Sequence, residues 1–570
     1  MGGDAPIRVQ SMITCDTMDT ETSIRQTLEL AAVGCEIVRI TAPTVKDAAN
    51  LEPIVEGLRA RGCDTPIVAD IHFKPEAAME AAKWVEKVRV NPGNYADSKK
   101  FAVREYTDAE YAAELGRIGA KFLPLVARCK ERGVSMRIGT NHGSLSDRIM
   151  NRYGDTPLGM VESALEFATL ARGADYHDFV FSMKASNPKV MIAAYRLLTA
   201  RLRALGPDWA YPIHLGVTEA GDGEDGRIKS AIGIGSLLAD GIGDTVRVSL
   251  TEDSVHEIPV ARALAAMWGA GGPGIPLAPE PPLSYDPFSY ARRASTRIER
   301  AGLGVGGGET VRVVLRRRQW DKLAHKIDRM GDYRPELVFE DCGIREIDPR
   351  DVTAVKAINA EAGLQWVTVA DGLDLPVIPA FRLLAARLDA RHPILLKDVL
   401  VEARDSQADF LGTLLRASAN LGALLCDGIG DGVLVQGEAA PGQAVRLAYN
   451  ILQAAGVRIF KTDYVACPSC GRTLFDLQTT TARIKAATLH LKGVKIAIMG
   501  CIVNGPGEMA DADFGYVGGA PGKVNLYVGK TAVKFNIPEA DAVAQLQDLI
   551  KEHGRWLDLP AEVDSGVEAG

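Results

Sequence analysis

Three cysteines near the carboxyl end of the chain have the types and spacing of a metal site. Cys467 and Cys470 stand in the run Cys-Pro-Ser-Cys, and Cys501 follows in a separate glycine-rich segment. Three thiolates can hold a cubane iron–sulfur cluster and leave one iron for a different ligand. Glu508 lies seven residues beyond Cys501, across Asn-Gly-Pro-Gly, and offers a carboxylate, which is harder and more exchangeable than a thiolate.

Other readings of these cysteines remain open from the residues alone. A structural zinc site needs a fourth ligand, which His490 offers, and a redox dithiol would use Cys467 and Cys470 but leave Cys501 without a role. The remaining cysteines occur singly, so we expect small buried apolar side chains at Cys15, Cys35, Cys63, Cys129, Cys342 and Cys426.

A second candidate site consists of cations inside apolar strands. Arg39, Arg89, Arg137 and Arg247 each stand between two apolar residues, and Lys184 follows an apolar run with the same alternation. Side chains alternate between the faces of a strand, so the apolar flanks face covering helices and the cations face the interior. An exposed sheet face is the alternative, but parallel sheets are covered on both sides. Buried cations need anions, and arginine matches the geometry of phosphate oxygens.

Polar residues collect where these strands end, and we expect them to surround the bound phosphate. The carboxyl ends of the strands form the chemically active mouth of a parallel barrel. The residues concerned are Asp70, His72, Asn91, Asn141, Thr218, Glu219 and Ser249. Together with the five cations they predict a diphosphate site.

The elements that must position these residues alternate regularly between strand and helix. Eight short apolar segments are predicted as strands, at 7–10, 36–41, 66–70, 85–91, 134–139, 177–183, 212–216 and 244–250. Helical patterns occupy the intervals, for example 21–33, 44–61 and 108–132. Eight such units predict an α/β fold that closes into an N-terminal (β/α)₈ TIM barrel.

A second stretch of chain repeats part of this pattern. After a Gly/Pro-rich linker at 271–287, the segment 421–435 matches 234–248 at ten of fifteen positions without a gap. Leu434 replaces Arg247 in this match, so the inward cation is lost. We interpret residues 289–455 as a degenerate, barrel-like α/β insert with a structural role. Its glycine-rich run 302–308 follows no convincing strand and is interpreted as a loop, not a dinucleotide site.

The cysteines belong to a third region, predicted as a small α+β domain. Strand patterns occur at 524–528 and 533–537, and a helix is expected from Glu539, just after Pro538. The predicted boundaries are 1–270 for the catalytic barrel, 271–455 for the insert, 456–560 for the [4Fe-4S] domain and 561–570 for a tail.

Composition excludes several classes of function. A net charge of −8 argues against binding to nucleic acid or anionic membranes, and no apolar run is long enough to span a membrane. An odd total of nine cysteines spread over 570 residues does not fit a secreted disulfide scaffold. The first residues lack the pattern of a signal or transit peptide, so we expect a cytoplasmic protein, or a plastid-stromal one if a transit peptide was removed.

Six motifs in the chain resemble the 4-hydroxy-3-methylbut-2-en-1-yl diphosphate synthase family. They are Val9-Gln-Ser-Met12, Ala69-Asp-Ile-His72, Arg89-Val-Asn-Pro-Gly93, Arg137-Ile-Gly-Thr-Asn141, Gly216-Val-Thr-Glu-Ala220 and Cys501-Ile-Val-Asn-Gly-Pro-Gly-Glu508. The resemblance covers the barrel and the C-terminal region, and the middle segment resembles the insert of the family's long, three-domain form.

The resemblance implies a reaction and roles for the residues. The substrate would be 2-C-methyl-D-erythritol 2,4-cyclodiphosphate, opened by two electrons with loss of water in the non-mevalonate isoprenoid pathway. Cys467, Cys470, Cys501 and Glu508 would bind the cluster, Glu219 would donate a proton, and ferredoxin or flavodoxin would supply electrons. Substrate binding would fall to Arg39, Asp70, His72, Arg89, Asn91, Arg137, Asn141, Lys184, Thr218, Arg247 and Ser249.

Two questions stay open at the level of the sequence. An iron–sulfur sensor or electron carrier would also explain the cysteines, although it leaves the inward cations unexplained. The cluster domain is expected to close on its own barrel, with the insert as a rigid spacer. The alternative is a cluster that serves the barrel of a partner chain, as in the family's short form.

Overall fold

The computed structural model describes residues 1–96, 105–268, 281–402, 409–502, 507, 509 and 511–558. The chain divides into two compact units. The first comprises Met1–Arg458 together with Cys467–Arg472, and the second comprises Ile459–Ala466 and Thr473–Gly570. The expected tail, most of the expected linker and Glu508 lie outside the described residues.

Eight parallel strands form the sheet at the start of the first unit, as predicted. They are β1 Arg8–Met12, β2 Ile37–Thr41, β3 Ile67–Ile71, β4 Lys87–Val90, β5 Ser135–Asn141, β6 Phe179–Lys184, β7 His214–Leu215 and β8 Thr245–Val246. Their order is β6-β5-β4-β3-β2-β1-β8-β7, and a parallel bridge from Phe181 to Ile213 joins the two edges. The sheet therefore closes into a barrel.

Helices follow the strands and cover the outside of the sheet. They are α1 Thr20–Ala32, α2 Val45–Ala49, α3 Leu51–Ala60, α4 Pro75–Ala81, α5 Pro92–Tyr95, α6 Asp108–Arg132, α7 Asp147–Tyr153, α8 Pro157–Gly173, α9 Pro188–Leu205, α10 Gly223–Ala239 and α11 Glu257–Trp268. The longest, α6, has the expected bounds because both ends are capped. Thr107 and Glu110 form a capping box, and Gly133 ends the helix in the left-handed region at φ 64°.

The predicted bounds fail where local contacts interrupt the pattern. The expected helix 44–61 is broken at Asn50, whose amide donates hydrogen bonds to the Thr17 carbonyl and the Thr20 hydroxyl. Strand β8 ends at Val246 and not at residue 250, so Arg247 and Ser249 follow the strand. The Arg247 N–H still donates to the Leu215 carbonyl at 2.9 Å, whereas the Leu250 N–H donates to the Glu257 carboxylate at 3.1 Å.

The insert contains a parallel sheet with fewer strands. Its strands are β9 Ile298–Arg300, β10 Leu303–Val305, β11 Arg312–Leu315, β12 Leu337–Val338, β13 Arg345–Ile347, β14 Val367–Val369, β15 Leu395–Lys397 and β16 Gly432–Leu434. The parallel order is β12-β11-β16-β15, and a bridge from Val367 to Ile394 continues it through β14 to β13. Its helices are α12 Arg317–Leu323, α13 Val352–Ala360, α14 Val377–Arg387, α15 Phe410–Cys426 and α16 Pro441–Ala454.

The glycine-rich run 302–308 is not simply a loop, as the sequence led us to expect. Leu303–Val305 forms β10, which pairs antiparallel with β9. Ala301 and Gly302 connect the two strands and both have positive φ, at 46° and 81°. Two such residues make the tight turn that matches the twist of a hairpin, and an isolated sequence motif does not reveal that pairing.

The barrel and the insert repeat the same contact at their first strands. In the barrel, Glu36 binds the Arg8 guanidinium and accepts a hydrogen bond from the next backbone N–H at 2.8 Å. In the insert, Glu336 binds Arg312 at 3.1 Å and accepts from the next backbone N–H at 2.9 Å. This agreement extends the repeat well beyond the fifteen matched positions.

A second repeated contact lies just before the last parallel strand of each sheet, β8 in the barrel and β16 in the insert. Asp244 accepts a hydrogen bond from the backbone N–H of Ile213 at 2.7 Å. Asp431, which is its partner in the sequence match, accepts from Ile394 at 3.0 Å. The insert is therefore built on the barrel's plan, with six parallel strands in place of eight.

Helices α10 and α15, which correspond in the repeat, pack against each other within the first unit. Arg196 donates to Asp240 and Asp427, both at 2.8 Å. Arg382 donates to the same two carboxylates, at 2.6 Å to Asp240 and 2.8 Å to Asp427. Tyr285 lies 5.5 Å from each guanidinium carbon. The network is reciprocal, because each arginine binds the aspartate of its own half and the aspartate of the other half.

The second unit contains a five-stranded mixed sheet with helices. Its strands β17 Asp463–Ala466, β18 Lys495–Met499, β19 Phe514–Ala520, β20 Lys523–Val528 and β21 Thr531–Pro538 pair in chain order. The helices α17 Leu477–Thr488 and α18 Glu539–Glu552 complete the α+β unit. Across the described residues of the chain, no helix is long and apolar enough to cross a membrane.

Candidate functional site

Asp70, at the end of β3, is the centre of the charged cluster in the barrel. Its carboxylate accepts a hydrogen bond from Arg89 at 2.9 Å and lies 3.9 Å from the Arg39 guanidinium. Arg89 also donates to the Asn141 side chain at 3.2 Å. Burial alone would raise the pKa of Asp70, but the charges of Arg89 and Arg39 hold it well below its usual value. Asp70 is therefore an ionised anchor for the arginines.

His72 is neutral in this site and presents a hydrogen-bond donor. Arg89 donates to Nε2 of His72 at 2.6 Å, so Nε2 is the acceptor and the ring proton lies on Nδ1. Burial, followed by the charge of Arg472, lowers the pKa of His72 to about 3. Nδ1 is buried and has no partner among the described residues. His72 can thus donate to an anion without carrying a charge.

Arg137 on β5 is the arginine of this cluster that the described residues neutralise least. Its side chain is 2% exposed, and none of its three nitrogens has a hydrogen-bond partner in the described part of the chain. Burial and the charges of Arg39 and Arg89 push its pKa well below the ordinary value. Lys184, also buried, has a pKa lowered by burial and by Arg39 and Arg247. Buried cations in this condition require a ligand to offset their desolvation.

Arg247 differs from the other cations because the protein itself neutralises it. Its guanidinium donates to both oxygens of Glu257 at 3.1 Å, and Glu257 also accepts from Ser11 at 2.6 Å. Arg247 and Arg39 both contact the Met12 sulfur at 3.0 Å. These contacts orient Arg247 rigidly and place two cations beside one soft acceptor.

Glu219 follows β7 in a strained backbone conformation. Its φ is +50°, a region that residues other than glycine rarely adopt. The side chain is buried, and Oε2 has no hydrogen-bond partner among the residues described. Burial raises the pKa of Glu219, against the opposing effects of Thr218 and Lys184. A raised pKa favours the acid form of the carboxyl, and that form suits proton donation.

The remaining predicted residues are all buried, and their contacts differ. Asn91 caps α5 through Gly93 and donates to Ser144 at 3.0 Å, so its described contacts are structural. Thr218 hydrogen-bonds Glu219. Ser249 lies beyond β8, two residues from Arg247.

The cysteines separate into two groups. Cys467, Cys470 and Cys501 are partly exposed, and five of the six single cysteines are buried as expected, whereas Cys15 is partly exposed. The described residues contain no group of three or more His, Cys, Asp or Glu side chains arranged to hold a metal ion. Three accessible thiols nevertheless provide soft donors of the kind an iron–sulfur cluster requires.

Close packing holds the backbone on either side of these thiols. In the second unit, the N–H of Leu474 donates to the Gly500 carbonyl at 3.0 Å. A Cβ on Gly500 would lie 2.9 Å from Thr473, and one on Gly518 would lie 2.4 Å from the Gly500 carbonyl. Thr473 is three residues beyond Cys470 and Gly500 directly precedes Cys501, so glycine is required for this approach.

Two charged residues of the site were missed in the sequence. Arg472 lies 3.8 Å from the Asp70 carboxylate, and Glu257 holds Arg247. Arg472 stands two residues after the cysteine pair, and this position could have identified it as a candidate site residue. Nothing in the pattern around Glu257 indicated that the first residue of α11 would turn inward.

Comparisons with known proteins cover almost the whole chain. Residues 1–262 match the GcpE TIM-barrel domain, and residues 463–552 match the GcpE protein C-terminal domain. The chain is 60% identical to the 4-hydroxy-3-methylbut-2-en-1-yl diphosphate synthase (flavodoxin) of Akkermansia muciniphila, over 98% of this chain and 95% of that one. It is 43% identical to the enzyme of that name from Chlorobaculum tepidum, with 98% and 88% covered. The ferredoxin-dependent chloroplastic enzyme of Oryza sativa subsp. japonica is 42% identical, with 99% and 87% covered.

Proposed function

The chain belongs to the 4-hydroxy-3-methylbut-2-en-1-yl diphosphate synthase family, and from this we infer how its own residues carry out the family's reaction. That reaction opens 2-C-methyl-D-erythritol 2,4-cyclodiphosphate in the methylerythritol phosphate route to isoprenoids. Two electrons and two protons are taken up, the ring C–O bond to phosphate breaks, and one water leaves. The enzyme is an oxidoreductase that uses flavodoxin or ferredoxin.

We propose that the cations in the barrel bind the diphosphate. The observation that carries this assignment is Arg137, buried with all three nitrogens unpartnered among the described residues. Lys184 and Arg39 provide further charge, and Asp70 keeps Arg89 oriented towards the same space. Phosphate oxygens match guanidinium donors in geometry and charge. Binding then offsets the desolvation of the cations and holds the ring in one orientation. The proposed set also includes His72, Asn91, Asn141, Thr218, Arg247 and Ser249.

Glu219 is the proposed proton donor. Burial raises its pKa, which favours the protonated carboxyl, and its backbone has a strained positive φ. A proton is needed when the departing oxygen leaves as water. His72, whose ring stays neutral, would donate a hydrogen bond while keeping its own proton.

The cluster is proposed to be bound by Cys467, Cys470, Cys501 and Glu508. A family member is expected to carry an iron–sulfur cluster, and the three partly exposed thiols support a [4Fe-4S] cluster with one iron on a carboxylate. When bound, the cluster would supply the electrons and a Lewis-acidic iron. Glu508 would be the most exchangeable of the four ligands, because a carboxylate is a harder ligand than a thiolate.

The insert is proposed to be a structural spacer, so that the cluster serves the barrel of its own chain. In the described residues of the insert, the buried lysine at the end of a strand is neutralised by the protein itself. Lys397, 0% exposed, is neutralised by Glu346 and, at 2.9 Å, by Asp371. The cysteine pair also touches the barrel of the same chain, because Thr251 donates to the Cys467 carbonyl at 3.1 Å. We propose the cytoplasm as the location.

Two measurements test the proposed function. Anaerobically purified protein should contain about four iron and four sulfide ions per chain, with the EPR signal of a cluster after reduction. It should also turn over the cyclic diphosphate with reduced flavodoxin or ferredoxin. Zinc without iron would contradict the cluster assignment. An intact cluster with no turnover would instead favour an electron carrier or sensor.

A further inference from the structure

A cavity lies at the amino end of the barrel, away from the mouth that carries the proposed substrate site. It has a volume of about 330 Å³, and the first residues of β2, β4 and β5 line it, namely Ile37, Lys87 and Ser135. Pro66 and Val68, at the start of β3, extend its apolar wall. Small-molecule sites have volumes of about 300–1,000 Å³, so the cavity can hold a small ligand.

Lys87 is a buried cation in the wall of this cavity. It is 7% exposed, and among the described residues its ammonium has one hydrogen-bond partner, the Met1 sulfur at 3.9 Å. A thioether is a weak acceptor without charge. Burial, followed by the charge of Arg137, lowers the pKa of Lys87 to about 8, so the ammonium form still predominates at neutral pH. Lys87 thus carries a charge that the described contacts leave without a counterion.

The two carboxylates that line the cavity have other partners. Glu86 binds Arg59 at 2.7 Å and accepts a hydrogen bond from the first backbone N–H of β3 at 2.8 Å. Glu36 binds the Arg8 guanidinium and accepts a backbone N–H of β1 at 2.8 Å. Within the described part of the chain, neither carboxylate forms an ion pair with Lys87.

The insert shows how a buried lysine is neutralised when its counterions belong to the protein. Lys397 is 0% exposed, and Glu346 and Asp371 both bind its ammonium. A buried ammonium is costly unless an anion accompanies it. Lys87 is nearly as buried but faces a cavity in place of carboxylates. An anion from outside the protein can therefore take their position.

We propose that this cavity binds a small organic acid, whose carboxylate pairs with Lys87 and whose apolar part packs against the apolar wall. Glu36 already holds Arg8, and the Ser135 hydroxyl donates to a backbone carbonyl at 3.2 Å. One ammonium suits a monoanion, whereas phosphate sites gather several charged donors. The inference is independent of the proposed function, because the two sites share no residue. A lysine that only water solvates is the competing explanation.

Benzoate is the probe, because it joins one carboxylate to an apolar ring. Its binding to the holoenzyme is measured by calorimetry at neutral pH, and we expect a Kd on the order of 1 mM. Benzamide has the same shape without the charge and should bind about 10- to 100-fold more weakly, the usual loss for one charge-assisted contact. Lys87→Met keeps an apolar side chain of similar length and should weaken benzoate binding to the same extent.

Two further variants show where benzoate binds. Lys130→Met removes a surface lysine that pairs with Asp175 and should leave the Kd of benzoate unchanged. Arg137→Gln alters the barrel mouth and should not weaken binding either. If Arg137→Gln weakens binding and Lys87→Met does not, benzoate occupies the mouth and the inference is wrong.

The inference would also be overturned if benzoate did not bind at concentrations up to about 10 mM, or if benzamide bound equally well. The comparison of these two compounds uses the unaltered protein, so it stands even if Lys87→Met does not fold. A low affinity for benzamide together with an unchanged Kd for benzoate in Lys87→Met would assign the carboxylate to another cation.

Discussion

At the scale of the residue, the proposed anion binding should lower the stability of the barrel without ligand, and Arg137 provides the clearest test. Arg137→Met keeps the volume and removes the unpartnered guanidinium. We expect the free energy of unfolding without substrate to rise by about 1–3 kcal/mol, because the cost of a buried unsatisfied group disappears. Substrate affinity should fall about 10- to 100-fold. Thermal unfolding and calorimetry measure the two effects.

Arg148→Met is the matched control for this prediction. Arg148 is equally buried but binds both oxygens of Glu166. Its removal leaves a carboxylate without its partner and should lower the thermal midpoint. If Arg137→Met lowers the midpoint in the same way, Arg137 has a structural counterion and our interpretation of it is wrong.

The raised pKa of Glu219 predicts a pH dependence. The acid form donates the proton, so turnover should be highest below this pKa and should fall as the pH rises through it. Glu219→Gln should lose most of kcat and, with it, this alkaline limb, while substrate Kd changes little. Rates measured under saturating substrate across pH 5–9 check the point. An unchanged alkaline limb in Glu219→Gln would assign it to another group.

The sequence identified most of the charged residues of the candidate site for a simple reason. A cation between two apolar strand residues must face the opposite way from them, and that rule needs no tertiary information. It could not distinguish Arg137, which lacks a partner among the described residues, from Arg247, which Glu257 neutralises. Glu257 is the first residue of α11, which follows the strand in the chain. The alternation of residues along a strand does not indicate that this carboxylate will bind Arg247.

At the scale of the element, the thiolate and the carboxylate of the segment 501–508 should contribute unequally to the cluster. Cys501→Ser should lose the cluster outright, since a serine hydroxyl is a poor ligand for iron. Glu508→Ala should assemble some iron–sulfur chromophore but lose most turnover, because the exchangeable ligand is gone while three thiolates remain. Iron content, visible absorption and steady-state rate are the measurements.

The predictions for single elements succeeded where the signal was local. Helix α6 begins and ends at the predicted residues because the residues that cap it directly flank it in the sequence. The break at Asn50 and the hairpin at Ala301 and Gly302 depend on partners that the local pattern does not name. Element existence was therefore easier to predict than element boundaries.

At the scale of the whole molecule, the central question is whether one chain makes a complete active site. In this proposal, Cys470→Ser removes a ligand of the cluster, and Arg137→Ala removes an arginine that binds the substrate. If the cluster serves its own barrel, co-expression of these two variants leaves every site with one defect, and activity should stay near background. The measurement is turnover of the co-purified mixture.

Separately purified variants, mixed at the same total concentration, provide the control. Recovery of substantial activity in the co-expressed sample would show that sites are shared between chains. The insert would then not be a spacer that serves its own chain.

The two halves of the chain are joined by reciprocal ion pairs, and this affects how the sequence can evolve. The ion pairs are those of Arg196 and Arg382 with Asp240 and Asp427. In a pair of identical subunits, each mutation enters both partners at once, so the two must remain alike. Here the partners are two stretches of one gene and can mutate separately. The two halves differ at a pair of equivalent positions, with arginine at position 247 and leucine at position 434. A twofold arrangement survives in the contacts between the halves, while in the proposed function selection for catalysis would act on only one of them.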